Sequence, residues 1–216
     1  MSQISSSLVF EISETFVTLQ EYLQRIEEQL HKFEQEANEK LKESNNLNEI
    51  IPVYVKLIHD FPTYARYSFL VLLFSLIEKY VEAICDEIEV SERLPIGAKD
   101  LKGDALERSM LFLDKMVGIS RDNIPAWPEI TDLAKIRHCI VHSFGRVDES
   151  RDQTRLKNIA KQGVGMTIPN EYVPILFIGS DYCLRALETA IGFFQEILSC
   201  FDYEEPDSPI IFRTGD

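Results

Sequence analysis

The apolar seam of residues 8–43 constrains this chain more than any other feature. Ile12, Phe16, Leu19, Leu23, Ile26, Leu30, Phe33, Ala37 and Leu41 step by four and three almost throughout. That period, close to 3.5, describes one long helix with a narrow buried stripe. Glu, Gln and Lys fill the other faces, and Ser44-Asn45-Asn46 ends the pattern. A seam of this kind fits packing on the chain's own core and packing on a second chain equally well, and both readings stay open.

The rest of the chain also reads as helical. A second helix is expected from Thr63 to Glu89, with Asp60 and Thr63 as candidate caps and Pro62 in the first turn. Its apolar residues (Phe69, Leu70, Leu72, Leu73, Phe74, Leu76, Ile77) run nearly all the way round, so it belongs at the centre of a core. Glu78 inside it needs a partner if buried. Pro95 and Gly97 break the stretch 91–102 into a loop. Asp104-Ala105-Leu106-Glu107 opens another helix that Gly118 closes. A helix from Pro128 to Phe144 follows, with Gly145 at the C′ position. Residues 146–178 read as a loop with a short β excursion at 164–168 and 173–177. The last helix spans Ser180 to Phe201, with Leu184, Leu187, Ile191, Phe194, Leu198 and Phe201 on one stripe. The expected fold is all-α: an antiparallel helical bundle with a long N-terminal helix and a short β excursion before the last helix. The expected organisation is a long helix within 1–50, a helical domain over 58–203 and an acidic tail over 204–216.

Composition narrows the class. With 216 residues, 45% of them hydrophobic, the chain can bury a substantial core. Its longest apolar run, Phe69 to Ile77, is interrupted by Ser75 and is far short of the roughly 20 residues a bilayer span needs. No basic stretch precedes an apolar one at the N-terminus, so no secretory signal and no membrane association are expected. The four cysteines (Cys85, Cys139, Cys183, Cys200) form no CxxC pair and read as reduced thiols of a cytoplasmic protein.

The net charge of −14 argues against nucleic-acid binding by the chain as a whole. Its distribution matters more than its sum. The acids concentrate in residues 1–50 and 201–216, whereas residues 135–161 reverse the sign, with seven bases against three acids. Lys135, Arg146, Arg151 and Arg155 in that stretch are candidate phosphate contacts. A solvated basic loop is the bland reading of the same string.

That basic stretch contains Arg137-His138-Cys139-Ile140-Val141-His142, an RxxxxH pattern. His138 and His142 are four apart, a spacing that can hold zinc. No glutamate follows His138, and Cys139 reaches such a site only with distortion, so neither a metal nor a cofactor is expected. Each residue also has a structural reading. A histidine near a helix C-terminus is favoured by the dipole, and Arg137 could pair with Glu78 or Asp132. Trp127, flanked by Pro125 and Pro128, reads as a packing anchor.

In this context the sequence resembles the HEPN superfamily. The resemblance rests on three features. One is RHCIVH near the end of a helix, an Arg and a polar residue followed by a His. Another is the apolar stretch 65–86 with its internal glutamate, Glu78. The third is Gly145 followed by a closing apolar helix. It covers residues 58–203. It implies a dimerising helical bundle and, in many members, a metal-independent endoribonuclease of toxin–antitoxin or antiviral defence systems. It also implies Arg137 and His142 as the catalytic pair, with His138 orienting them and Glu78 in support. One toxin branch carries a tyrosine two places after the histidine, where a partner nucleotidyltransferase modifies it; this chain has Phe144 there. Other members are binding modules only. The alternative expectation is therefore a non-catalytic dimeric module for a protein partner, such as a nucleotidyltransferase or an ATPase.

The chemistry is consistent with the first expectation. RNA cleavage without a metal needs a proton acceptor for the 2′-OH, a donor for the leaving oxygen and positive charge on the phosphorane. Histidine at neutral pH and arginine supply these. Residues five apart on a helix differ by about 140° in projection. A homodimer, which brings two such helices to one groove, therefore makes better use of the motif.

Overall fold

The structure is a computed structural model and describes residues 3–44, 46–170 and 172–202. The fold is an all-α helical bundle. Its helices are α1 (Ser6–Glu43), α2 (Leu47–Val55), α3 (Phe61–Ser91), α4 (Ala105–Phe112), α5 (Trp127–Ser143), α6 (Gln153–Lys161) and α7 (Ser180–Leu198). Between α6 and α7 lie β1 (Met166–Thr167) and β2 (Phe177–Ile178), paired antiparallel with Met166 opposite Ile178. Among the described residues no helix is long and apolar enough to cross a membrane. The acidic tail over 204–216 lies outside the described residues.

The chain forms two compact units, and each boundary falls inside a long helix. Unit one comprises residues 3–19, 73–134 and 186–202; unit two comprises Gln20–Leu72 and Lys135–Arg185. Most of the α1 seam is buried within the chain itself. Ile12 and Phe16 are fully buried, and Leu19, Leu23, Leu30 and Ala37 nearly so, while Ile26 and Phe33 are half-buried and Leu41 is exposed.

Unit one is built on aromatic rings. Phe16 and Tyr80 meet Phe194 at centroid distances of 5.2 and 6.3 Å, and Trp127 stacks on Phe193 at 6.4 Å. Trp127 thus acts as the packing anchor expected of it. Burying each such ring stabilises the fold by about 2–3 kcal/mol. Ion pairs close the rim: Lys79 with Glu11 at 2.9 Å, Lys99 with Asp86 at 2.6 Å, and Arg108 with Glu82. Asp104 caps α4 by accepting from the Glu107 amide, and Gly118, at φ 81°, ends the helical run.

In unit two, three sequence expectations need correction. Asp60 and Thr63 cap nothing. Asn46 caps α2, which continues through a wide π turn (Lys56–Asp60) directly into α3. The extra residue of that turn lets the helical path continue past Pro62. Thr63 Oγ1 instead donates to the His59 carbonyl at 2.7 Å. The second correction is α6, a helix inside the stretch expected to be a loop. Only Leu156 and Ile159 anchor it, and its remaining positions are largely polar. The third is the end of α5: the helix stops at Ser143, and Phe144 as well as Gly145 adopts a left-handed backbone, at φ 49° and 79°.

Around these elements, Arg66 binds Glu27 through two nitrogens at 2.9 and 2.7 Å and donates to the Ile178 carbonyl at 3.3 Å. The pair is largely buried and bidentate, the geometry in which an arginine–carboxylate contact is strongest.

Candidate active site at the end of α5

The C-terminal half of α5 carries the RHCIVH residues, all in unit two. The backbone beyond them is fixed by long-range bonds. The Gly145 amide turns back to donate to the Cys139 carbonyl at 3.1 Å. The Leu176 amide donates to the Gly145 carbonyl at 2.9 Å, and the Val147 amide to the Pro174 carbonyl at 2.8 Å. Residues 145–147 are thereby laced to 174–176.

Tyr67 of α3 locks this junction. It is buried, and its hydroxyl donates to the Leu176 carbonyl at 2.6 Å. Burial raises its phenol well above the ordinary tyrosine range. A Cβ at position 145 would fall 2.0 Å from the Tyr67 hydroxyl oxygen. Glycine is therefore required there both by the backbone conformation and by this close approach.

Within the helix, the His138 and His142 rings lie 4.3 Å apart, tilted by 41°. His142 is exposed, and His138 and Arg137 are half-buried. The His138 pKa is lowered from the ordinary histidine value, first by burial and then by the positive Arg151, by His142 and by Arg137; Asp152 opposes them. The shift favours the uncharged form of His138. Cys139 points the other way. It is fully buried, its thiol faces the Arg146 carbonyl at 3.5 Å, and burial pushes its pKa up to about 11.

The candidate phosphate-binding residues separate into two kinds. Arg146 is occupied by Asp148 at 2.9 Å and Glu149 at 3.1 Å. Arg151 is largely exposed and close enough to depress the His138 pKa, with Asp152 beside it at 3.5 Å. Arg155 projects from α6 into solvent, and Lys135 is half-buried on α5. The structure therefore gathers Arg137, His138, His142 and Arg151 in one neighbourhood, and it engages Arg146 with carboxylates. Glu78 is half-buried on α3 in unit one.

Two aromatic residues lie beside the motif: Phe144, already noted where one toxin branch carries a tyrosine, and Tyr64, which the sequence pattern did not single out. Phe144 is 61% exposed and Tyr64 50% exposed, with their rings 5.7 Å apart. Tyr64 and Tyr67 are three apart on α3, a spacing that puts both on one helix face and could have signalled Tyr64.

Elsewhere in unit two, a cleft of about 320 Å³ is lined by Glu27, His31, Glu34, Leu57, Ile58 and Arg66, among others. Its guanidinium is the one already held by Glu27 and the Ile178 carbonyl. Among the described residues, no group of three or more His, Cys, Asp or Glu side chains is placed to hold a metal ion.

No family model matches this chain, and no curated protein or solved structure matches it either.

Proposed function

We propose that this chain is a HEPN-like, metal-independent endoribonuclease of the toxin or defence type, working as a homodimer through the end of α5. The observation that carries the reading is the imidazole pair His138–His142, 4.3 Å between ring centroids, with Arg137 preceding it on the same helix.

Each residue has a role its surroundings suit. His142, solvent-exposed, takes the proton of a ribose 2′-OH as that oxygen attacks the adjacent phosphorus. Arg137 faces the developing charge of the phosphorane. His138, whose charged form burial and neighbouring cations disfavour, orients the His142 ring. The leaving 5′ oxygen takes its proton from the equivalent histidine of a second copy across a two-fold axis. The products are a 2′,3′-cyclic phosphate and a 5′-hydroxyl, and the need for a 2′-OH restricts the substrate to RNA. Lys135, Arg151 and Arg155 attract the phosphate backbone; Arg146 contributes less, because Asp148 and Glu149 neutralise it.

The alternative is a non-catalytic module for a protein partner. With most of the α1 seam buried in the chain, that reading rests on the acidic surface of a molecule of net charge −14.

The test compares wild type, Arg137→Ala and His142→Ala on RNA and on DNA of the same sequence. The proposal expects folded variants with cleavage reduced at least about 100-fold, the scale of lost general acid–base catalysis, and no cleavage of DNA. Equal cleavage by all three proteins would remove the motif from the mechanism.

A further inference from the structure

Phe144 occupies a conformation that its side chain does not favour. A bulky residue at φ 49° sits in the left-handed region that glycine normally fills, and glycine is the very next residue. Burial does not explain the choice, because the ring is 61% exposed. It is nevertheless held firmly. Tyr67, buried and bonded to the Leu176 carbonyl, meets it edge-on at 6.0 Å, and Tyr64 flanks it at 5.7 Å with a 56° tilt. An observed backbone outlier that presents an exposed, supported ring is a reasonable mark of function.

The surroundings identify the occupant by charge. Phe144 follows His142 by two residues, and Arg137 and Arg151 both act electrostatically on His138, which packs against His142. Exposed rings that follow a histidine pair on which two arginines act, in a chain otherwise strongly acidic, match a strand that presents both phosphates and open base faces. In a duplex the bases are stacked on one another, whereas unpaired bases are free to stack on aromatic side chains.

We infer that Phe144 and Tyr64 form a stacking platform that holds an unpaired base of single-stranded RNA beside His142. This rests on the ribonuclease reading above and adds a subsite to it: two rings, one on α3 and one just after α5, that grip a base next to the cleaved phosphate.

The test uses the full chain carrying His142→Ala, so that the probe stays intact. Fluorescence anisotropy is measured with a short labelled RNA of mixed sequence, single-stranded or annealed to its complement. The parent is expected to prefer the single strand. Adding Phe144→Gly or Tyr64→Ala should weaken that binding about tenfold, the lower range for loss of one stacked base, and Phe144→Trp should retain it. Phe144→Gly relieves the left-handed backbone, so its melting temperature should not fall, which separates lost stacking from lost folding. Unchanged binding in both aromatic variants overturns the inference. So does a change confined to self-association in sedimentation, which would make the rings a protein contact. If wild type binds single strands through these rings but cleaves none, the platform stands and the ribonuclease reading falls. If it cleaves RNA and Phe144→Gly in the otherwise wild-type chain leaves KM unaltered, the ribonuclease reading stands and the platform falls.

Discussion

The two halves of α5 differ in what they do with their side chains. In the first half, within unit one, Ile130 and Leu133 are buried, and Trp127 stacks on a core phenylalanine. In the second half, within unit two, Val141 is 48% exposed, His142 reaches solvent, and the helix ends on Phe144 in a left-handed backbone. The first half uses apolar surface to stabilise a fold. The second buries Ile136, Cys139 and Ile140 but leaves Val141 and His142 uncovered, and its end is fixed through Tyr67 and Gly145. Exposed surface of this kind, rigidly supported, is what a binding or catalytic site needs and what a core does not.

Substitution of phenylalanines sharpens the contrast most. Phe194→Ala, in the sealed aromatic cluster, should cost about 3–5 kcal/mol in denaturant unfolding. Phe144→Ala should change stability by no more than about 1 kcal/mol, since an exposed ring is lost while a left-handed backbone is kept. Equal losses would erase the distinction between the two halves.

The next effect tests the support behind the site. Gly145→Ala places a methyl group against the Tyr67 hydroxyl in a left-handed conformation, and should cost about 2–4 kcal/mol from backbone strain and overpacking. Thermal melting measures it, and a neutral result would show that the junction yields easily. Tyr67→Phe should cost about 1–2 kcal/mol, because the buried Leu176 carbonyl loses its hydroxyl donor. The same melts would show whether that bond matters.

The smallest effect concerns pH. The fold lowers the His138 pKa, so between the folded and unfolded values the unfolded chain binds more protons. This residue's contribution to stability is complete above the unfolded value of about 6.5 and is lost as pH falls below it. His138→Gln should therefore flatten the acid side of the stability curve in that window. An identical curve for wild type and variant would show that burial of this imidazole carries no linkage.

Much of this was legible in the sequence, for reasons that can be named. Helix α1 was readable because its seam, from Ile12 to Leu41, steps by threes and fours throughout. Helix α3 was readable in its body but not at its start, where Asp60 and Pro62 imitate an N-terminus and a π turn carries the helix through. Helix α6 was hidden because only Leu156 and Ile159 are apolar in a basic string. The local pair His138–His142 follows from four-residue spacing and was visible. The bond from Tyr67 to Leu176, between residues 109 apart, was not, and it is one of the contacts that shape the junction after the motif. The engagement of Arg146 is foreshadowed by Asp148 and Glu149 two and three residues behind it, which the net charge of the string conceals.

The central claim is that the exposed end of α5 cleaves RNA, and the most direct measurement is of product ends. Purified wild type and His142→Ala are incubated in EDTA with a mixed-sequence single-stranded RNA, and the new 3′ termini are analysed. The account predicts fragments ending in 2′,3′-cyclic phosphate from wild type and intact RNA from the variant. Intact RNA from both, or identical fragments from both, would contradict it.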